Sequence, residues 1–312
     1  MGKTAFLFPG QGSQAVGMGV EAFEADALAR DRFEQADDVL GFSLSKLAFE
    51  GPEDELRLTA NAQPAILTTS ASLLALVERE WGGKPDFVAG HSLGEYTALV
   101  AAGVLRFEDA VAAVRQRGLL MEEAVPAGQG GMAAVIGLER EAVDTICEEI
   151  REQGQVVEPA NYNCPGQLVI SGEKKAVEQA SQAAAEAGAR RVIALPVSGP
   201  FHSRLMKPAA DKMEEVLSAL PLEQAYIPVV TNVSARPETD VDAIRRKLVQ
   251  QIYSPVLWED SVRWMLEQGV DTFVEIGPGN VLTGLVRKVD RRVNALSIQN
   301  MESLRKALEK LG

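Results

Sequence analysis

Residues 87–96 read Phe-Val-Ala-Gly-His-Ser-Leu-Gly-Glu-Tyr, and this short stretch decides the expected fold. The apolar run Phe87–Ala89 predicts a buried strand, and the pattern over Glu95–Ala102 predicts a helix directly after it. The G-x-S-x-G sequence between them is typical of a nucleophile elbow, a sharp turn that exposes a serine at the start of a helix. Ser92 is then the candidate nucleophile, and the backbone N–H of Leu93 can face an oxyanion near the positive end of the helix dipole. The alternative is a glycine turn in which Ser92 only caps the helix.

Strand patterns alternate with helical patterns on both sides of this stretch. Such alternation, with glycine or proline in the turns, predicts an α/β fold with a largely parallel sheet covered by helices. The expected strands of this sheet are Thr4–Phe8, Phe87–Ala89, Ile227–Asn232, Thr272–Ile276 and Val293–Ile298. The helices expected around it include Val20–Phe33, Ala65–Glu80, Phe107–Ala124, Leu205–Leu220 and Ser261–Gln268.

The middle of the chain has a different pattern. Its elements follow the order β-α-β-β-α-β, which is the ferredoxin-like arrangement. They are expected at Met132–Gly137, Glu139–Gln153, Val156–Tyr162, Gln167–Ser171, Lys174–Ala187 and Arg191–Val197, with a turn at 163–166. We therefore expect residues 127–197 to form a small inserted domain that divides a larger domain of residues 1–126 and 198–312. A substrate pocket between the two is the natural consequence, because binding sites favour domain interfaces.

A serine nucleophile needs a base, and the chain offers two histidines, His91 and His202. His91 is the neighbour of Ser92, so its side chain should leave the turn in another direction. His202 follows glycine and proline in a loop, which makes it the candidate general base and acid, although a lone loop histidine is more often a spectator. The sequence does not choose a third group to orient this histidine, and an acid, a backbone carbonyl or a side-chain amide are all open.

Two further features bear on the site. The loop from Pro9 to Ala15 contains G-x-G-x-x-A, but the helix expected after it leaves no second strand for a dinucleotide site. A backbone N–H there, at Gln11, is better suited to be a second oxyanion donor, and a simple tight turn is the alternative. Arg115 and Arg117 lie two apart on one helix and face different directions. The one that points inward requires a carboxylate, either from the protein, the commoner case, or from a substrate.

Composition excludes several classes of function. The chain has 312 residues, a net charge of −13, and 2 cysteines. The charge argues against nucleic-acid binding and a polybasic membrane anchor, and no apolar run approaches the ~20 residues of a membrane span. The cysteines and histidines are too few for a disulfide framework or a transition-metal cluster. We expect a cytoplasmic protein without a metal site, a nucleic-acid partner or a membrane partner.

Several segments together resemble one family, the malonyl-CoA:acyl carrier protein transacylases. They occur in the family's order at 8–14, 90–96, 116–118, 161–163, 165–167, 199–202, 251–255 and 275–279. The resemblance implies an α/β-hydrolase-like domain with a ferredoxin-like insertion. It also implies a ping-pong reaction without a cofactor, in which Ser92, deprotonated by His202, takes the malonyl group from CoA and passes it to the phosphopantetheine thiol of an acyl carrier protein.

The resemblance also carries individual residues. It implies an oxyanion hole from the backbone amides of Gln11 and Leu93, and pairing of Arg117 with the free malonyl carboxylate. Gln251 matches the glutamine that orients the family's histidine. The residues expected along the substrate are Met121, Asn163, at the thiol-entry cleft, and Phe201, whose bulk favours malonyl over methylmalonyl.

The partners expected from this resemblance are malonyl-CoA and acyl carrier protein, for a chain that acts as a monomer. Because such carrier proteins are acidic, docking needs a local basic cluster, either at 287–292 or around Lys174, Lys175, Arg190 and Arg191. A serine hydrolase and a catalytically silent docking subunit are the competing functions. The sequence leaves open fatty acid or polyketide synthesis, although a chain without fused domains favours the former.

Overall fold

The computed structural model describes residues 2–126, 128–197 and 199–312. Two separate sheets organise these residues. The strands are β1 Lys3–Phe8, β2 Phe87–Gly90, β3 Gly130–Ile136, β4 Val157–Cys164, β5 Gln167–Glu173, β6 Arg191–Ala194, β7 Val229–Thr231, β8 Arg236–Glu238, β9 Val270–Ile276 and β10 Asn294–Ile298.

Helices cover both sheets. They are α1 Val20–Ala25, α2 Ala27–Leu40, α3 Leu44–Glu50, α4 Glu53–Arg57, α5 Thr59–Trp81, α6 Gly94–Ala101, α7 Phe107–Glu123, α8 Arg140–Glu152, α9 Lys174–Glu186, α10 Lys207–Ala219, α11 Val241–Gln251, α12 Trp258–Glu267, α13 Val281–Val289 and α14 Met301–Leu311. A short 3₁₀ helix, Arg204–Met206, precedes α10.

The larger sheet has the order β10-β9-β1-β2-β7-β8, and all its pairs are parallel except β7 with β8. Side chains of its central strands alternate between two cores, so Phe6 and Phe8 face one cluster while Ala5 and Leu7 face the other. Both faces are thus buried, as a parallel sheet requires. Because neighbouring parallel strands run the same way, the loops after β1, β2 and β7 meet at one edge, where α/β sheets bind ligands.

The smaller sheet is antiparallel throughout, with the order β4-β5-β3-β6, and α8 and α9 pack on it around a third core cluster. The expected fold class, a largely parallel sheet plus a βαββαβ unit, is confirmed. The inserted domain is predicted to begin at Ala127 and to end at Val197, with the larger domain resuming at Ser198; Ala127 and Ser198 lie outside the described residues, so these limits stay a prediction. The described strands of the small sheet all lie within Gly130–Ala194.

Local differences from the expected elements have identifiable causes. The single helix expected over Val20–Phe33 is broken at Asp26, whose extended backbone and side-chain bond to the Leu28 N–H start a new helix. The last strand of the small sheet ends at Ala194 because Pro196 has no N–H to donate to a ladder. Asn163 and Cys164 belong to β4 rather than to the turn.

The described residues contain neither a membrane-spanning helix nor a cluster of metal ligands. None of their helices combines the length and apolar character that crossing a bilayer requires. Among the same residues, no group of three or more His, Cys, Asp or Glu side chains is arranged to hold a metal ion.

Candidate active site

The turn between β2 and α6 has the geometry of a nucleophile elbow. Ser92 adopts a φ of 51°, in the left-handed region that costs a non-glycine residue of order 1–3 kcal/mol. Glycine is required on both sides. A Cβ at Gly90 would lie 1.9 Å from the Gly94 carbonyl carbon, and one at Gly94 would lie 2.1 Å from the Phe8 carbonyl oxygen. The two glycines therefore let the strained turn fit against β1.

His202 meets Ser92 across the cleft. Its Nε2 lies 2.8 Å from Ser92 Oγ, and its Nδ1 lies 2.8 Å from the backbone carbonyl oxygen of Gln251. Because a carbonyl only accepts, Nδ1 carries the proton and Nε2 is left to accept the serine proton. Burial and then the positive charge of Arg117 lower the pKa of His202 to about 3, so its imidazole is neutral. The two side chains thus form a serine–base pair.

The group that orients His202 is the main chain of Gln251, not its side chain. The residues alone left open which group orients His202. The family resemblance pointed to Gln251 but did not say which of its atoms makes the contact. The amide side chain makes other contacts. Its Nε2 donates to Ser92 O at 3.0 Å and to Glu95 Oε2 at 2.9 Å, and its Oε1 accepts from Arg117 Nη2 at 2.9 Å. The side chain of Gln251 therefore contacts Ser92, Glu95 and Arg117.

Arg117 is buried, with 1% of its surface exposed, and its hydrogen-bond partners are neutral. Nη1 donates to Gln63 Oε1 at 2.9 Å, and Nη2 donates to Ser92 Oγ at 3.1 Å as well as to Gln251. Within residues 2–126, 128–197 and 199–312, Arg117 forms no salt bridge. Burial lowers the pKa of this guanidinium, yet arginine remains charged in proteins. An unpaired buried cation beside a nucleophile is suited to an anionic substrate group.

Two backbone amides flank the same space. The loop after β1 packs so closely on the elbow that a Cβ at Gly10 would lie 2.3 Å from the His91 carbonyl oxygen. Among the described residues, neither the Gln11 N–H nor the Leu93 N–H donates to a protein atom. The Gln11 side chain is held separately, by Thr59 Oγ1 at 3.1 Å. These free donors are what an oxyanion beside Ser92 requires.

Comparison with known proteins decides the class of this site. A family model described as an acyl transferase domain matches residues 5–306. The malonyl CoA-acyl carrier protein transacylase of Bacillus subtilis (strain 168) is 54% identical over 311 residues, which span 100% of this chain and 98% of the relative. The chain belongs to this acyltransferase family. The expected family and enzyme class are thereby confirmed.

Solved structures of similar chains have the same fold as this acyltransferase. A malonyl-transacylase in complex with its type II PKS acyl-carrier protein superposes with a TM-score of 0.96 at 46% identity, covering 99% of both chains. An acyl carrier protein S-malonyltransferase from Vibrio cholerae gives a TM-score of 0.95 at 45% identity, covering 98% of this chain and 99% of that one.

The acyltransferase site opens into a cleft of about 370 Å³ between the two sheets. Met121 and Phe201 are buried on its apolar wall, with Met132 from the small sheet opposite. The residues lining the cleft are Gln11, Gly12, Gln14, Glu53, Arg57, His91, Ser92, Leu93, Arg117, Met121, Met132, Asn161, Leu195, Pro196, Val197, Phe201 and His202. Most residues singled out in the sequence thus come together here.

Neither Gln251 nor Asn163 is among these lining residues. Asn163 Oδ1 lies 2.8 Å from the Nε2 of His91, which lines the cleft together with Asn161. Asn161 and Asn163 are two apart, but β4 carries register irregularities between Pro159 and Asn161 and between Tyr162 and Cys164. Such irregularities redirect side chains along a strand. The role expected for Asn163, at the thiol-entry cleft, stays a prediction.

Three buried polar residues of the acyltransferase site were missed in the sequence: Gln63, Glu95 and Asn232. Glu95 stands inside the motif segment, yet the segment gives no sign that burial raises the pKa of this carboxyl to about 7. Asn232 ends a predicted strand, a position typical of site residues. That signal becomes usable only once β7 is known to lie beside β2.

Proposed function

We propose that this chain transfers a malonyl group from CoA to the phosphopantetheine thiol of an acyl carrier protein. The observation that carries the proposal is the meeting of Ser92 with His202 in a cleft that also holds an unpaired Arg117. The serine–base pair supplies acyl transfer, and the cation supplies selection of an acyl group that ends in a carboxylate.

The first half-reaction acylates the serine. Ser92 Oγ attacks the thioester carbonyl carbon while its proton passes to His202 Nε2. The carbonyl oxygen becomes an oxyanion that accepts from the Gln11 and Leu93 amides. The intermediate collapses, the carbon–sulfur bond breaks, and the CoA sulfur takes the proton from His202. The Gln251 carbonyl stabilises the imidazolium that exists between these steps.

The second half-reaction repeats the sequence with a new nucleophile. The carrier-protein thiol gives its proton to His202 and attacks the malonyl-serine ester. The same two amides hold the oxyanion, the bond to Ser92 Oγ breaks, and His202 returns the proton to the serine. In both halves the bidentate fork of Arg117 holds the malonyl carboxylate, and Met121 and Phe201 bound the space around the α-carbon. We infer that Phe201 disfavours a methylmalonyl group by steric contact.

Intact-mass spectrometry tests the proposal directly. Incubation with malonyl-CoA is expected to add one malonyl group to the wild type and none to Ser92→Ala. Addition of holo carrier protein should move the group to the carrier. A serine hydrolase would instead lose the adduct to water without carrier protein, and a silent docking subunit would form no adduct.

The proposal also covers the location, oligomeric state and pathway of the enzyme. We propose a cytoplasmic monomer that needs no cofactor, with residues 127–197 as its inserted domain. We also propose that it serves fatty acid synthesis, although a similar malonyl-transacylase forms a complex with its type II PKS acyl-carrier protein. Transfer rates to the two kinds of carrier protein would separate these pathways, and light scattering would give the oligomeric state.

Carrier docking is tested at the two basic clusters. Lys288 donates to Gln167 Oε1 at 2.8 Å, and Arg292 pairs with Asp290 at 2.7 Å, so part of the cluster at 287–292 is engaged within the protein. The charge is reversed at each cluster in a separate variant. Only the variant changed at the cluster that docks the carrier is expected to show a higher KM for carrier protein. An unchanged KM in both variants would contradict docking at either cluster.

A further inference from the structure

Asn232 is a buried residue that holds both ends of the elbow. It follows β7 directly and has no exposed surface. Its side-chain Oδ1 accepts from the Ser92 N–H at 2.7 Å, and its Nδ2 donates to the Gly90 carbonyl oxygen at 2.7 Å. One amide group therefore bridges the two peptide groups on either side of His91.

The elbow needs such a bridge for a physical reason. The left-handed conformation of Ser92 takes its N–H out of the strand ladder, and α6 begins only at Gly94. Buried backbone groups without partners cost free energy comparable to a lost hydrogen bond. Asn232 satisfies one donor and one acceptor beside a residue with a strained backbone.

Asn232 is itself fixed from two sides. Its N–H donates to Glu95 Oε2 at 3.0 Å, and its carbonyl oxygen accepts from the Leu257 N–H at 2.9 Å. The same Glu95 oxygen accepts from Gln251 Nε2, and the Gln251 backbone holds His202. The nucleophile and its base therefore rest on one connected set of buried hydrogen bonds.

We propose that Asn232 is a positioning residue for the nucleophile, whose amide holds Gly90 and Ser92 so that the serine Oγ points at His202. The inference rests on the proposed function. A purely structural asparagine would contribute to folding stability alone. A positioning residue also changes the rate constant of each correctly folded molecule, because misplacement by about 1 Å costs up to ~100-fold in rate.

Single-turnover acylation by malonyl-CoA, followed by rapid-quench intact mass, separates these two roles. The amplitude reports the fraction of competent molecules, and the rate constant reports how well each one reacts. For Asn232→Ala we expect a rate constant lower by about 10- to 100-fold. The KM for malonyl-CoA should stay within about twofold, because the contacts of Arg117 remain.

Thr231→Val is the matched control. Thr231 is equally buried and adjacent, but its hydroxyl bonds to Ser234 Oγ at 2.8 Å, away from the elbow. We expect it to lower the melting temperature while keeping the wild-type rate constant. A rate constant for Asn232→Ala within about twofold of wild type, with only amplitude or melting temperature reduced, would overturn the proposal.

Asn232→Asp serves if the alanine variant does not fold. It keeps the shape and the acceptor for Ser92 N–H, but it places an oxygen against the Gly90 carbonyl. A reduced rate constant supports the proposal, and a wild-type rate constant overturns it. Labelling of Ser92 by a fluorophosphonate probe gives the same comparison without a malonyl group. Wild-type protein that reacts with the probe but not with malonyl-CoA would refute the proposed function and leave the Asn232 comparison intact.

Discussion

At the scale of single residues, Arg117 has the most informative surroundings. Two amide oxygens and one hydroxyl hold its guanidinium in place without neutralising it. Glu95, the nearby acid, is occupied by Asn232 and Gln251. The cleft therefore presents a fixed positive charge whose missing partner is expected to be the carboxylate of the substrate.

Arg117→Ala should reduce the rate of acylation by malonyl-CoA by about 100-fold and the rate with acetyl-CoA far less. The reason is that the malonyl carboxylate loses its guanidinium partner, whereas an acetyl group has no carboxylate. Arg115→Ala is the control: Arg115 lies on the same helix but bonds to Asn61 and packs on Phe42. It should leave the malonyl-to-acetyl ratio unchanged. Initial rates with both thioesters measure that ratio, and equal losses for the two substrates in Arg117→Ala would contradict the assignment.

The pH dependence of acylation follows from His202. Its pKa of about 3 means that the imidazole is neutral, and ready to accept a proton, at every pH above that value. We therefore expect kcat/KM for malonyl-CoA to stay flat from about pH 8 to about pH 5, where a histidine of ordinary pKa would already be protonated. A fall centred near the ordinary histidine pKa that persists in the Glu95→Gln variant would refute this. Glu95→Gln identifies any transition near pH 7 that belongs to Glu95.

The sequence pointed to the residues that we propose to perform chemistry more readily than to the residues that hold them in place. Ser92 and His202 could be singled out because chemistry restricts their types and, for Ser92, the spacing of its neighbours, whereas only the family resemblance separated Arg117 from Arg115. Gln63 and Asn232 could not be singled out, because an amide that bonds to a backbone group has no characteristic spacing. Their roles depend on which strands and helices are neighbours in space.

At the scale of elements, the close contact between α6 and β1 fixes the elbow. Gly94 is the first residue of α6, and its Cα faces the Phe8 carbonyl at the end of β1. The contact places the start of the helix, with the Leu93 amide, beside the loop that carries Gln11. Packing between a strand and a helix thus sets the distance between the two amides that we propose as oxyanion donors.

Gly94→Ala is expected to destabilise the protein by more than about 4 kcal/mol, because the added Cβ would meet backbone that cannot move independently. Gly284→Ala is the control: Gly284 is an exposed glycine inside α13 with nothing within 4 Å of its added Cβ. It should stabilise the protein by up to ~1 kcal/mol through helix propensity. Urea unfolding measures both, and a mild effect at Gly94 would contradict the close contact.

The order of elements was predictable along the chain, and their ends were less so. Periodicity predicted the strands of both sheets apart from β8 and most of the long helices, since each pattern is local. It did not give α3, α4, α11, α13 or α14. The break at Asp26 and the early end of β6 depend on capping and on proline chemistry within longer apolar patterns. The three-residue β8, with Pro237 at the sheet edge, is too short to give a pattern.

At the scale of the whole molecule, β4 joins the small sheet to both halves of the site. Asn163 contacts His91 beside the nucleophile, and Val256 forms backbone bonds with Ala160 and Tyr162. The carboxylate of Glu158 accepts a hydrogen bond at 2.7 Å from the backbone N–H of Arg204, which lies two residues after His202. One strand of the small sheet therefore supports the nucleophile and the base together.

Glu158→Gln should lower the acylation rate constant by about 3- to 10-fold, because it weakens the support of the loop that carries His202. Asp260→Asn is the control. It removes the ion pair of Asp260 with Arg140, at 2.9 Å, which joins α12 to α8 on the side of the small sheet and lies away from the loop of His202. It should leave the rate constant unchanged. Stopped-flow acylation measures both variants, and equal losses would indicate a general loosening instead.

The strand order has a consequence for synthesis. β1, made first, lies between β2 and β9, and β9 belongs to the last part of the chain. A nascent chain that has not reached residue 276 therefore carries an open edge on its central strand, which invites pairing with other chains. The same growing polypeptide holds a serine with no histidine to activate it until residue 202 emerges from the ribosome. The proposed serine–base pair can therefore form only after both residues have been synthesised.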